Sequence, residues 1–264
     1  MSRVVSKDGT PIAYDRTGDG PALILVGGGL LDPVTGRAGR WENAPLAEAL
    51  AARFTVYNYD RRGRADSGDT LPYAVDREVE DLDALISVAG GSAHLYGVSS
   101  GGALALEAAA AGLAADRIAV YEVPYSIGEE ASRRWSAYVE ELTAALGEGR
   151  RGDAVELFMR VAGAPEEDIA GAKRSPLWPG LEAIAHTLAY DAACLGDGSP
   201  PTARLATVTQ PTLVATGGSD DFFEQAADAI AARLPHAERR TLAGQGHLVD
   251  PKALAPLLER FLGE

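Results

Sequence analysis

The sequence predicts an α/β protein: a mostly parallel, eight-stranded sheet with helices on both faces and a helical cap insertion. Three observations carry this expectation. Short apolar, β-branched runs alternate with alanine-rich stretches of helical period along most of the 264 residues, the pattern of strand-crossover-strand units. The opening "MSRVVSKDGTPIAYDRTGDG" alternates polar and apolar residues around Asp8-Gly9, which reads as a hairpin. Finally, the stretch 125–207 holds helical patterns but no convincing strand, and it is too long for a structureless connection in a compact domain. The expected organisation is a core of residues 1–124 and 208–264 with a helical cap of 125–207.

After the hairpin, strands are expected near Ala22–Gly27, Phe54–Tyr59, Ala93–Val98, Arg117–Glu122, Thr212–Thr216 and Ala237–Leu242. Each is short, apolar and bounded by glycine, proline or charge. Helices are expected over Leu46–Arg53, Val75–Ala89, Gly102–Ala111, Asp221–Leu234 and Lys252–Leu262. Within the insertion, "ASRRWSAYVEELTAAL", "GDAVELFMRVAG" and "WPGLEAIAHTLAYDAACLG" supply its helices.

Composition narrows the function classes. With 24 basic and 38 acidic residues the net charge is −14, which opposes binding to nucleic acid or to an anionic membrane. A small-molecule substrate is the expected partner, with the chain a monomer or homodimer. No signal-like apolar stretch opens the sequence and one cysteine, Cys194, excludes an internal disulfide, so a cytoplasmic location is expected. The "YDAAC" setting places Cys194 in helix packing rather than in thiol chemistry.

The chemistry centres on "LYGVSSGGALALEAAA", residues 95–110. Gly97-Val98-Ser99-Ser100-Gly101 is a Gly-x-Ser-x-Gly pattern that composition alone would produce roughly 0.2 times in such a chain, so context must decide. "SAHLYGV" supplies a buried strand before it and "GGALALEAAAAGLAA" a helix after it. That is the setting of a nucleophile on a sharp strand-to-helix turn, where only glycine at 97 and 101 allows the close approach. Ser99 should lend its hydroxyl, and Ser100 only its amide, at a helix start where an oxyanion can be stabilised.

Ser99 needs a base, and the chain has four histidines. His94 lies on the same strand, roughly 16 Å of extended chain away. His236 opens the last strand at the opposite sheet edge, and His186 sits in the insertion, a poor place for a fixed base. His247, in "LAGQGHLVDP" after the final strand, falls at the same sheet end as Ser99. The acid that orients it is expected in "GGSDDFF", as Asp220 with Asp221 capping the next helix, or with those two roles exchanged. Glu122, at the end of "RIAVYE", is the rival.

The order Ser99, Asp220, His247, together with "LILVGGGLLD", "YDRRGRADSG" and the final "GQGH", resembles the α/β-hydrolase superfamily over nearly the whole chain. The resemblance implies the α/β-hydrolase fold, a serine hydrolase with an acyl-enzyme intermediate, and no metal or organic cofactor. It implies that Gly29, with Gly28 beside it, donates an oxyanion-hole amide alongside that of Ser100. Gly27 stands where the family usually has histidine, and Val98 where histidine or tyrosine more often precedes the serine. The Asp60-Arg61-Arg62-Gly63 turn is read as scaffolding. Serine at the elbow implies an ester, thioester or lactone of a small to medium apolar acyl group as substrate. The alternative is a non-hydrolytic member, a biosynthetic cyclase or lyase or a ligand-binding receptor, using the same pocket. In the insertion, Trp178, His186, Trp135 and Tyr190 are the expected substrate-binding residues, with Trp178 held still between prolines in "SPLWPG".

Overall fold

The computed structural model describes residues 1–29 and 39–264. The strands are β1 (Ser2–Val5), β2 (Pro11–Thr17), β3 (Ala22–Val26), β4 (Thr55–Tyr59), β5 (Ala93–Val98), β6 (Ala115–Tyr121), β7 (Thr212–Gly218) and β8 (Ala237–Gln245). They form one eight-stranded sheet in the order β1-β2-β4-β3-β5-β6-β7-β8. β2 pairs antiparallel with β1 and β4, and every other pairing is parallel.

Alternation along the central strands explains why both faces must be covered, since successive side chains leave a strand on opposite sides. Ile24 and Val26 of β3, Leu95 of β5 and Ile118 and Val120 of β6 join one apolar cluster. Helices α2 (Val75–Val88), α3 (Ser100–Ala110) and α10 (Asp221–Ala231) supply the rest of that layer. Leu23 and Leu25, Tyr96 and Val98, and Ala119 and Tyr121 point the other way, into a layer closed by α1 (Ala44–Leu50) and α11 (Pro251–Leu262). Two capping carboxylates start the last helices: Asp220 accepts from the Phe222 amide and Asp250 from the Lys252 amide, each at 2.9 Å.

Between β6 and β7 the chain makes α4 (Glu129–Gly147), α5 (Arg151–Val161), α6 (Glu166–Arg174), α7 (Trp178–Ile184), α8 (Thr187–Leu195) and α9 (Thr202–Leu205). Tyr138, Leu142, Val155, Trp178 and Leu188 of this insertion bury one another in an apolar cluster of their own. None of the described helices is long and apolar enough to cross a membrane.

The polar turn after β4 is the least ordinary part of the core. Arg61, Arg62 and Arg64 are all but fully buried, at 2%, 0% and 2% exposure, which is tolerable only with carboxylate partners. Arg61 forms a two-pronged pair with Glu78 of α2 at 2.7 Å for each contact. Arg62 does the same with Asp81 and adds Asp8 of the β1–β2 hairpin at 2.9 Å. Burial pushes the Asp8 carboxyl up, but hydrogen bonds from Thr10 and Arg62 outweigh it and lower the group from 3.8 to about 2.

A depressed carboxylate stabilises the fold above its unfolded pKa and loses that contribution as pH falls through the folded value. Asp8→Asn should therefore cost about 1 to 2 kcal/mol at pH 7, and the gap to the wild type should shrink between pH 4 and pH 2. Urea unfolding at pH 7 and at pH 2.5 checks this; an undiminished gap at the lower pH contradicts it.

Candidate active site

The turn between β5 and α3 puts Ser99 in a left-handed conformation, φ 55° and ψ −130°, which side chains with a Cβ avoid. The surrounding backbone holds it there. Its amide donates to the Tyr121 carbonyl at 3.0 Å, and glycines let three segments meet without side chains between them. A Cβ at Gly101 would lie 2.3 Å from the carbonyl oxygens of both Val26 and Gly27, and one at Gly97 would lie 2.5 Å from the Gly101 carbonyl oxygen. α3 begins at Ser100, so the Ser100 amide is one of the first-turn donors without an acceptor inside the helix.

Beside this turn runs the end of β3. A Cβ on Gly28 would sit 3.0 Å from the Ser99 Cβ, so the loop passes directly alongside the serine. Glu42 lies behind it, with the Gly28 amide among the groups that favour its charged form; burial nevertheless pushes its carboxyl up, against the pull of Arg64. On the far side, the carbonyls of Gly28 and Gly29 accept from Nη1 of Arg64, the second at 3.4 Å. A trans peptide points its C=O and N–H in opposite directions, so the Gly29 amide is turned away from Arg64. The last three residues of "LILVGGGLLD" lie outside the described residues.

His247 follows β8 at the same sheet end. Its Nδ1 meets Oε2 of Glu122 at 2.9 Å, while Oε1 of Glu122 accepts from the Gly217 amide at 2.9 Å. Glu122 is the residue after β6, buried to 2% exposure and left-handed at φ 48°. The ring of Phe223 stacks on the imidazole, 4.8 Å between centroids and 9° between planes. Below it, the Tyr121 hydroxyl donates to the Gly246 carbonyl at 2.8 Å.

Asp220, the expected acid, is instead the cap of α10, and Asp221 is the first residue of that helix. Among the described residues neither makes a hydrogen bond to His247, whose carboxylate partner is Glu122. The reason is topological. Glu122 ends the strand next to β5, beneath the imidazole, whereas Asp220 has turned into the helix after β7. Ser100 also departs from expectation: its hydroxyl donates to Asp191 at 2.7 Å and accepts from Arg61 at 3.2 Å.

The four residues expected to line the substrate site have partners within the protein. Trp178 is buried in the insertion's own cluster, and Trp135 donates to the Gly196 carbonyl at 3.1 Å and packs under Gly198. His186 and Tyr190 converge on the Asp69 carboxylate at 3.1 and 3.0 Å, with Tyr190 stacked on Tyr73 at 3.7 Å. Two insertion residues approach Gly29: Phe158 of α5, whose Cζ would lie 3.3 Å from a Cβ there, and Asp191 of α8, whose Oδ2 would lie 3.8 Å away. Cys194 is buried and its thiol is pushed up to about 12 by burial and by Glu78, so it is a packing residue. No group of three or more potential metal ligands occurs among the described residues.

Comparison with known proteins agrees with this fold. The model of the "Alpha/beta hydrolase family" matches residues 10–257. An alpha/beta hydrolase from Sphaerobacter thermophilus is 48% identical and superposes with a TM-score of 0.86 over 99% of this chain and 100% of that one. A pimeloyl-[acyl-carrier protein] methyl ester esterase of Xanthomonas campestris is 29% identical over 94% of this chain and 97% of its own length. A putative carbamate hydrolase, RutD, of Azorhizobium caulinodans is 27% identical over 95% and 94%.

The seam at the serine tolerates no added side chain. Gly101→Ala should destabilise the protein by about 2 to 4 kcal/mol, as overpacking against backbone does, whereas Gly112→Ala, where a Cβ meets nothing within 4 Å, should show only the milder strain of its left-handed backbone. Thermal melts of the two variants side by side check this; equal losses would contradict it.

Proposed function

The chain belongs to the alpha/beta hydrolase family, and on that premise we propose that it is a serine hydrolase of carboxylic esters, thioesters or lactones. The observation that carries the reading is the Glu122–His247 pair, 2.9 Å apart, at the sheet end where β5 delivers a left-handed Ser99. Glu122 fixes the imidazole through Nδ1, so Nε2 is the nitrogen that serves as base. A second amide bond on Glu122, from Gly217, keeps the carboxylate in place.

In the reaction, Nε2 of His247 takes the Ser99 proton as Oγ bonds to the acyl carbon. The amides of Gly29 and Ser100 stabilise the oxyanion. Collapse breaks the bond to the leaving alkoxide or thiolate, which takes the proton back from Nε2. Water, deprotonated by the same nitrogen, then attacks the acyl-enzyme, releases the acid and restores Ser99. No step calls for a metal or an organic cofactor.

The helices of 125–207 act as a cap over this site, with Phe158 the apolar wall beside the oxyanion loop. Phe223 on His247 and the exposed Leu248 next to it extend an apolar surface on the other side. Both favour a small to medium apolar acyl group. The methyl ester esterase and carbamate hydrolase relatives support hydrolysis at a carbonyl over cyclase, lyase or receptor roles.

A serine-directed fluorophosphonate should label the wild type and leave Ser99→Ala unmodified, and short p-nitrophenyl esters should be hydrolysed with a loss of at least about a thousandfold in that variant. Glu122→Gln should lose about a thousand- to ten-thousandfold in kcat, while Asp220→Asn keeps most of its activity and loses only cap stability. An unlabelled wild type sinks the hydrolase reading in favour of a non-hydrolytic one; a severe loss in Asp220→Asn with a mild one in Glu122→Gln returns the acid to Asp220.

A further inference from the structure

We infer that Arg64, gripped by Asp191 of the helical insertion, is a positioning residue that sets the oxyanion loop. The inference rests on the serine-hydrolase reading above and gives a role to residues which that mechanism does not use.

The loop after β3 reads Gly27-Gly28-Gly29, and glycine backbone has little conformational preference of its own. A Cβ at Gly27 would meet the Glu42 and Asn43 side chains at 3.3 and 3.4 Å, and one at Gly28 the Ser99 Cβ at 3.0 Å, but sterics alone do not choose the direction of the loop's peptides. Three carbonyls do. Those of Gly28 and Gly29 accept from Nη1 of Arg64, and that of Gly27 lies 3.4 Å from Nη1 of Arg61. All three are drawn toward buried guanidiniums, so the amide between Gly28 and Gly29 faces the opposite way.

The guanidinium of Arg64 is itself fixed from the insertion. Its Nη2 contacts both oxygens of Asp191 at 2.8 and 2.7 Å, and its Nε lies 3.4 Å from Oγ1 of Thr187. Thr187 and Asp191 are one turn apart on α8, so a single helix face holds the arginine. The same Asp191 accepts from the Ser100 hydroxyl at 2.7 Å and from Arg61 at 2.8 Å. One carboxylate from the insertion therefore ties down both proposed oxyanion donors: Gly29 through Arg64, and Ser100 at the start of α3 directly. Electrostatic stabilisation of this kind depends on donors that are already in place when charge develops. A lysine cannot replace the arginine, because an ammonium lacks the planar fork that grips a carboxylate and a carbonyl together.

The test uses the full chain, with Arg64→Ala and Asp191→Asn as variants and p-nitrophenyl butyrate as substrate. In folded Arg64→Ala, kcat should fall about a hundred- to a thousandfold with KM within about threefold of wild type. Affinity for an aryl trifluoromethyl ketone, which forms a tetrahedral adduct with Ser99, should fall in step with kcat. Guanidinium at millimolar, non-denaturing concentration should restore at least about tenfold of the lost kcat, which a general loss of stability would not permit. Asp191→Asn keeps the side chain's shape and one acceptor, and should show the same split of kcat from KM at smaller size; it decides the matter should Arg64→Ala not fold. Folded variants with kcat and ketone affinity within about threefold of wild type overturn the inference.

Failure of the hydrolase reading looks different. A wild type without Ser99-dependent turnover removes that reading but leaves the backbone claim measurable by amide hydrogen exchange at Gly28 and Gly29. Exchange at least about tenfold faster in the variant than in wild type upholds the positioning role, and unchanged exchange overturns it.

Discussion

Between the ends of β3 and β5 and the start of α3 there is no space for a side chain, and much of the architecture follows from that contact. The carbonyls of Val26 and Gly27 press on Gly101, whose imagined Cβ would come within 2.3 Å of each. So close an approach stops α3 from sliding along the sheet and forces the turn at Ser99 into the left-handed region. Backbone strain of this kind persists only where the surroundings over-determine it. Here the Ser99 amide is bonded to the Tyr121 carbonyl and the Glu122 amide to the Ala215 carbonyl, so β5, β6 and β7 share the constraint. Two left-handed residues, Ser99 and Glu122, thus emerge side by side at one sheet end, each at the carboxyl edge of a buried parallel strand where ligands of open α/β sheets gather.

Charge is organised around the same seam. Arg61, Arg62 and Arg64 leave the turn after β4 and end on carboxylates of α2, the opening hairpin and α8, with Arg61 and Arg64 sharing Asp191. Burial pushes Glu78 up, yet the facing Arg61 outweighs that and holds it below its ordinary range. Around the oxyanion loop, the guanidiniums of Arg61 and Arg64 are matched by Glu78 and Asp191, two cations against two anions. Glu42 forms no ion pair among the described residues, and burial pushes its carboxyl up against the weaker pull of Arg64. Networks of this kind add little net stability over an apolar core but penalise any arrangement that leaves one member unpaired. They fix where α8 lies more than how firmly the domain folds.

The parts of this design that obey local rules were legible in the sequence. Short apolar, β-branched runs marked the strands, and the strand-glycine-serine-glycine-helix order marked the turn at Ser99, because both are local consequences of backbone geometry. Elimination among four histidines singled out His247, which the structure places beside Glu122. Its carboxylate partner was harder to read, because an aspartate before a helix satisfies the cap chemistry and the triad chemistry equally well on paper. The folded chain brings Glu122, just after β6, within 2.9 Å of the His247 imidazole, while Asp220 accepts from the Phe222 amide. "RIAVYE" did carry a signal, a carboxylate ending a fully apolar strand, where burial demands a partner. Trp178, between its prolines, was open to reading either as a pocket wall or as packing, and the structure puts it inside the insertion's own cluster. The contacts of Arg64, Asp191 and the Ser100 hydroxyl join residues up to 130 positions apart, beyond the reach of any pattern in a short window.

The insertion is consequently two things at once. Its α8 is bound to the core at two depths, through Asp191 on buried arginines and through His186 and Tyr190 on Asp69 nearer the surface. On the proposed mechanism α8 is part of the catalytic scaffold, because moving it would unpair Arg64, whose Nη1 donates to the Gly28 carbonyl. The remaining helices, α4 to α7, bury their apolar faces largely on one another, and α5 sends Phe158 toward Gly29. On the proposed function, substitutions there alter the wall of the acyl site without disturbing a buried charge, and the part of the insertion that holds buried arginines is separate from the part that is free to vary with substrate.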